Sequence, residues 1–171
     1  MPSRLRVLFL CTRNAARSQI AEAVLAHKSA HQHPVRFEVA SAGASPGDAV
    51  HPQALDVLRD HGIDWKDRRP KSIDSVHDQA WDLIITVCDR AREACPVFPG
   101  QPIFAHWGME DPSDVAGTDA ARARAFYETY LVLSRRIDLL LALPFESLER
   151  AALERKVRSI AAAATAAEPS V

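Results

Sequence analysis

A single α/β domain, with about four parallel strands and helices on both faces, is the fold this sequence predicts, and three features predict it. Short apolar runs alternate with stretches in which apolar residues recur every three or four positions. The clearest run, Asp82-Leu83-Ile84-Ile85-Thr86-Val87, is continuous and β-branched, the pattern of a strand buried on both faces. The length of 171 residues, 47% hydrophobic and 25% charged, suffices for one sizeable core and not for a second full domain.

In chain order, Arg6 to Leu10 reads as a buried strand closed by polar residues. From Ser18 to about Ala30, Ile20, Ala23, Val24 and Ala26 fall at helical spacing, with Glu22 expected as a helix-surface acid. Phe37 to Ala40 forms a second strand, ended by Ser41-Ala42-Gly43 and the turn-rich Ser45-Pro46-Gly47-Asp48. Pro52 to Asp60 is helical, with Pro52 in the first turn and Gly62 just past the end. Asp82–Val87 is the third strand, and Ile103–Ala105, after Pro96, Pro99 and Pro102, a short fourth. A long helix runs from about Asp119 to Ala142 on the stripe Phe126, Tyr130, Leu133, Ile137, Leu140 and Leu141. Pro144 ends it, and a last helix covers about Glu146 to Ala162. The expected division is thus a domain over 1–143 and, over 144–171, a C-terminal helix with a frayed tail at Glu168-Pro169-Ser170-Val171.

Composition excludes some classes. A net charge of −1 lacks the basic excess of a nucleic-acid binder. No apolar run approaches the roughly 18 residues of a membrane span. Val7-Leu8-Phe9-Leu10 is too short for a signal peptide's apolar core, so a cytoplasmic address is expected. Thiols are kept reduced there, and the three cysteines read as chemistry rather than as structural staples. Open α/β sheets bind ligands beyond the carboxyl ends of their strands. The first strand ends at Cys11 and the strongest one at Cys88.

Between that first strand and the first helix lies Cys11-Thr12-Arg13-Asn14-Ala15-Ala16-Arg17-Ser18. A loop of this length, wrapped on itself, points backbone N–H groups inward and opens onto a helix N-terminus, which suits an oxyanion. The same potential is expected to lower the Cys11 pKa and favour the thiolate. Arg17 offers a planar fork for two oxygens of a tetrahedral anion. Ser18 can donate to the thiolate and is expected to cap the helix. Asn14 tolerates the positive φ that a tight nest requires. His27, His31 and His33 lack a cysteine or acid spaced to complete a zinc site, and no metal is expected.

The stretch VLFLCTRNAARSQIAEA resembles the signature of the low-molecular-weight protein tyrosine phosphatases and of the thioredoxin-linked arsenate reductases that share their fold. The resemblance implies Cys11 as nucleophile, residues 11–18 as anion cradle and Arg17 as transition-state clamp. It continues at Asp111-Pro112, whose Asp it implies as general acid, with Glu110 and Asp114 as nearby substitutes. His106-Trp107-Gly108 and the Cys-x6-Cys spacing of Cys88 and Cys95 are similar to the reductase branch. The substrate implied is arsenate, with phosphate or sulfate able to occupy the same site. No tightly bound cofactor is expected, only an external thiol such as thioredoxin or a similar redox protein.

Two further cysteines exceed what hydrolysis requires, whereas arsenate reduction transfers two electrons and must end in a disulfide. Cys88 attacking the arsenylated Cys11, followed by Cys95 attacking the resulting bond, satisfies that need. Were 88–95 helical throughout, the two Cα atoms would stand about 10 Å apart. A disulfide requires roughly 4.4–6.8 Å. The segment must therefore loop or unwind. The alternatives are a phosphatase cleaving phosphate monoesters through a cysteinyl-phosphate, and a non-catalytic anion or redox sensor. Few aromatics, and Ser113 where such phosphatases often carry Tyr, count against the first. Arg13, Ala15 and Ala16 depart from the family's usual loop, and Asn14 and Glu22 match positions implicated in alkali-cation binding in some reductases.

Overall fold

In the computed structural model residues 4–30 and 33–166 are described; the tail at Glu168–Val171 and His31 lie outside them. Four parallel strands pair in the order β2-β1-β3-β4: β1 Arg4–Cys11, β2 Arg36–Gly43, β3 Leu83–Thr86 and β4 Ile103–His106. The middle of the sheet is fully buried at Val7, Leu8, Phe9, Leu10, Ile84 and Ile85, as the apolar runs require. Strand β1 starts two residues earlier than expected because its charged end has partners. Arg4 and Arg6 both reach Glu38, at 3.0 and 3.2 Å, and the Arg6 guanidinium lies 4.4 Å from the Trp81 ring. Ladder bonds from Asp82 N–H to the Arg6 carbonyl and from Val87 N–H to the Leu10 carbonyl extend β3 by one residue at each end.

Helix α1, Arg17–Ser29, packs on β1 and β2, while α4, Asp119–Leu141, packs on α1. Helix α2, Pro52–Asp60, packs against α4 and α1. The step from β1 to β2 runs one way across the sheet, and the later steps run the other. Between α2 and β3 the chain passes along α1, where Trp65 Nε1 donates to Gln19 Oε1 at 2.8 Å, and the short α3, Asp89–Glu93, packs against β1 and β3. The N-cap of α4 is Thr118, whose hydroxyl accepts from Ala121 N–H at 3.1 Å. Its apolar stripe is buried as expected apart from Leu141, which is only partly covered. Arg136 lies buried beside that stripe, which the apolar periodicity does not announce.

Helix α5, Arg150–Ala166, begins later than expected and buries Leu153, Val157 and Ile160 in the same core. Arg158 donates to the Phe104 carbonyl at 2.9 Å, so α5 covers the outer edge of β4. His33 has a packing role: a ring nitrogen lies 2.7 Å from the Leu141 carbonyl, and the ring meets Phe37 and Phe145 edge-on. Among the described residues no group of three or more His, Cys, Asp or Glu is placed to hold a metal. No helix among them is long and apolar enough to cross a membrane.

Candidate active site

Strand β1 delivers Cys11 to the carboxyl end of the sheet, and the chain turns through 12–16 into α1. A belt of chain after β2 holds this turn. The N–H groups of Ala44, Ser45, Gly47 and His51 donate to the carbonyls of Cys11, Thr12, Arg13 and Ala15, at 2.8–3.2 Å. Each trans peptide points its N–H opposite to its C=O. The outward carbonyls therefore turn the N–H groups of residues 12, 13, 14 and 16 toward the inside of the loop, and that of Asn14 reaches Cys11 Sγ at 3.1 Å. A concave ring of N–H groups is an anion site before any side chain is counted. Asn14 supplies the required positive φ, 53°. Gly43 allows the close approach, since a Cβ there would stand 2.6 Å from the Thr12 carbonyl oxygen.

The side chains under the loop form one directed network. Asn14 Oδ1 accepts from Lys71 N–H at 2.9 Å and from Gln19 Nε2 at 3.1 Å, which fixes its amide orientation. Its Nδ2 then donates to Ser18 Oγ at 2.8 Å and to Ser41 Oγ at 2.9 Å. Ser18 Oγ lies 2.7 Å from Cys11 Sγ, where its hydrogen can serve the sulfur once Cys11 is a thiolate. Ser18 thus serves the thiol as expected, but it does not cap α1. The N-cap is Ala16 with no side-chain cap bond, because the hydroxyl turns inward to Cys11 and Asn14 instead. Glu22 is likewise no surface acid: it is 6% exposed and accepts from Ser41 Oγ at 3.3 Å. Burial pushes its carboxyl up, against the pull of Lys71 and Arg68.

Burial also pushes the Cys11 thiol up, and it outweighs the bonds from Ser18 and Asn14 and the charge of Arg17, all of which pull the other way. The lowered pKa expected from the loop potential is therefore reversed: the individual pulls exist, but desolvation wins. A raised pKa leaves the thiolate scarce near neutrality and increasingly populated as pH rises. Alkylation of Cys11 by iodoacetamide, followed by peptide mapping, is expected to accelerate with pH along a curve centred above the ordinary thiol value. Ser18→Ala moves the curve further up and slows labelling at a fixed pH by about tenfold, the scale of one charge-assisted hydrogen bond. A curve centred below the ordinary value would contradict this account.

Above Cys11 is a cavity of about 230 Å³ lined by Cys11, Arg13, Arg17, Asp48, His51 and Asp111 among others. Arg17 is tethered from the far side, with Nη1 donating to the Met109 carbonyl at 2.9 Å and Nη2 lying 3.4 Å from Asp111 Oδ2. Asp111 is held in turn by Ser113, whose N–H and hydroxyl donate to Oδ1 at 2.9 and 2.6 Å. Glu110 and Asp114 border the neighbouring cleft but not this cavity, which favours Asp111 among the three carboxylates. The guanidinium of Arg13 lies over Gly47, about 3.7 Å from where a Cβ would stand, at the mouth shared by cavity and cleft. His51 lines the cavity with its ring stacked on Phe126, 4.8 Å between centroids.

The adjoining cleft, about 1220 Å³, is lined by Thr12, Arg17, Cys88, His106, Asp111 and Arg136 among others. Cys88 Sγ lies 3.2 Å from Thr12 Oγ1, against the second residue of the loop. It is also the N-cap of α3, accepting from Ala91 N–H at 3.4 Å. His106 bonds Thr86 Oγ1 at 2.7 Å and Asp89 at 2.9 Å, and so pins the first residue of α3. Cys95 follows α3, half-buried, its thiol 3.7 Å from the Pro96 carbonyl and pushed up by burial. All three cysteines are free thiols; Cys11 and Cys88 share one end of the sheet, and the helical turn of α3 separates Cys95 from them.

A sequence model of the low molecular weight phosphotyrosine protein phosphatases matches residues 6–159. The chain belongs to this family. The match runs well into α5, beyond any motif legible by eye. Within the family, the chain is 32% identical over 131 residues to the arsenate reductase of Halalkalibacterium halodurans, covering 77% of this chain and 91% of that one. A solved arsenate reductase in its phosphate binding state superposes with a TM-score of 0.63 at 26% identity, covering 81% of this chain and 97% of that chain. The thioredoxin-dependent arsenate reductase Cg_ArsC1' of Corynebacterium glutamicum matches with a TM-score of 0.54 at 30% identity, over 79% of this chain and 62% of that chain. For a member of the phosphotyrosine phosphatase family, three features here were not legible in advance: the belt at 44–51, His51 in the cavity wall and Arg136 in the cleft. Gly43 and Gly47, placed straight after a strand, were the one available hint of the belt.

Proposed function

We propose that this protein reduces arsenate to arsenite by a relay of three cysteines, working in the cytoplasm with an external thiol reductant of the thioredoxin type. The observation that carries the reading is Cys88 seated against Thr12 of the anion loop, at a cleft that shares Arg13, Arg17 and Asp111 with the Cys11 cavity. The names of the relatives, arsenate reductases in each case reported above, support it.

The loop N–H groups and Arg17 hold the oxyanion over Cys11. The Cys11 thiolate forms a bond to arsenic, and one oxygen leaves as water with a proton from Asp111. Cys88, as thiolate, then attacks Cys11 Sγ. The S–As electron pair passes to arsenic, As(V) becomes As(III), and arsenite leaves behind a Cys11–Cys88 disulfide. Cys95 attacks Cys88 and expels the Cys11 thiolate, which leaves Cys88–Cys95 for the external dithiol to reduce. The electrons come from thiols throughout, and the cycle calls for no tightly bound cofactor.

The deciding assay supplies arsenate, thioredoxin, its reductase and NADPH to the purified protein, beside a parallel reaction with an aryl phosphate. Arsenate-dependent NADPH consumption with stoichiometric arsenite is the expected result. Aryl phosphate hydrolysis without arsenite formation would instead establish the phosphatase, and oxyanion binding with neither product a sensor.

A further inference from the structure

We propose that Arg136 is a positioning residue for the candidate acid, fixing the height of the loop that carries Asp111; this rests on the reading of Asp111 given above. Arg136 is 4% exposed on α4, one turn after Leu133 and one before Leu140, and its guanidinium is turned to the start of the acid loop rather than to solvent. Nη1 donates to the Trp107 carbonyl at 2.9 Å and lies 3.5 Å from that of Gly108. Arg17 takes the next carbonyl, Met109, at 2.9 Å. Two arginines from different helices thus grip three consecutive carbonyls, and both border the cleft beside Cys88.

The rest of the segment leaves it little play. Trp107 N–H donates to the Thr86 carbonyl at 2.7 Å, Met109 N–H to that of Val87 at 3.3 Å, and the Trp107 indole to that of Val157 at 3.2 Å. At Gly108 a Cβ would stand 2.5 Å from His106 Nε2, so the chain lies flush on that ring. Two residues beyond Met109, Asp111 meets the other amine of Arg17. Taking a guanidinium out of water is expensive, and an apolar side chain would fill the volume without that cost. Its bonds to consecutive backbone carbonyls are part of what offsets that cost. Displacing this loop by about 1 Å would carry Asp111 off the departing oxygen, an error that can cost on the order of a hundredfold in rate.

The test is a double-mutant cycle on single-turnover arsenite release. Arg136→Met is expected to slow release roughly 10- to 100-fold. Its oxyanion affinity, read as sulfate protection of Cys11 from alkylation, should change by less than about threefold, because Arg17 and the loop N–H groups remain. In an Asp111→Asn background, Arg136→Met should add almost nothing, since the acid it positions is already gone. Arg136→Lys, retaining a charge and a donor, should recover part of the rate. Losses that simply multiply would make Arg136 a structural residue and overturn the proposal while leaving Asp111 as acid. Full-speed release by Asp111→Asn would remove the acid assignment and this proposal together. Should Arg136→Met fail to fold, Arg136→Lys, whose partial loss should likewise vanish in the Asp111→Asn background, runs the same cycle.

Discussion

Cys11→Ser is expected to abolish arsenate reduction, by at least about 10⁴-fold, while leaving the fold and the anion site intact. Losing the nucleophile of a covalent pathway removes the pathway rather than slowing it, and single knock-outs of catalytic nucleophiles act on this scale or above. The serine hydroxyl is not appreciably ionised near neutral pH and is a poor nucleophile without an adjacent base. The cradle does not depend on the sulfur. Its carbonyls are fixed by Ala44, Ser45, Gly47 and His51, and Arg17 by Met109. Sulfate or phosphate should therefore bind the variant with nearly unchanged affinity by calorimetry, and thermal unfolding should shift by a few degrees at most. Retained turnover in Cys11→Ser would remove the whole assignment; lost anion binding would mean that the sulfur, not the N–H ring, builds the site.

Cys88→Ser and Cys95→Ser should stop the cycle at two different points, and the product count separates them. Without Cys88 nothing opens the S–As bond reductively, so arsenite should fall to background. Without Cys95 the first disulfide still forms, so one arsenite per protein chain is expected, after which Cys11 and Cys88 are recovered as a mixed pair in non-reducing peptide maps. Any hydrolysis of aryl phosphates should survive both changes, because a cysteinyl-phosphate is resolved by water and needs neither thiol. Many turnovers by Cys88→Ser would end the relay reading, whatever Cys11 does. The two thiols also differ in surroundings: Cys88 is buried against Thr12, while Cys95 is half-buried two residues before the exposed Val97. That contrast suits an inner thiol for chemistry and an outer one for hand-over.

Most of the fold was legible because its signals are local. A β-branched run such as Leu83–Thr86 or a stripe such as Phe126–Leu140 carries its own period, and the turn residues between them mark the boundaries. The loop was legible for the same reason, as Cys11, Arg17 and Ser18 lie within eight residues. What sequence reading missed depends on partners far along the chain. Glu22 looked like a surface acid until Ser41, 19 residues on, took it into the interior. Ser18 looked like a cap until Asn14 claimed its lone pair. Arg136 carries no local mark at all, since the carbonyls of Trp107 and Gly108 that it grips lie nearly 30 residues away. The direction of the Cys11 shift failed similarly: the attractive charges are nearby in sequence, but the desolvation that outweighs them comes from the assembled core.

Cys88 caps α3 through its sulfur, and α3 is only five residues long. A helix of that length has little propagation to sustain it and leans on its ends. On the proposed relay the reacting atom and the capping atom are the same, so attack on Cys11 withdraws the cap in the act of forming the disulfide. Oxidation thereby shifts a local melting equilibrium, with no separate trigger and no ligand. On that relay, unwinding the turn frees the segment between Cys88 and Cys95, of which Asp89–Glu93 is helical, for the second disulfide. On the same relay, returning two electrons restores the cap and lets the segment rewind, so that the redox state of the protein and the length of one helix would become the same variable.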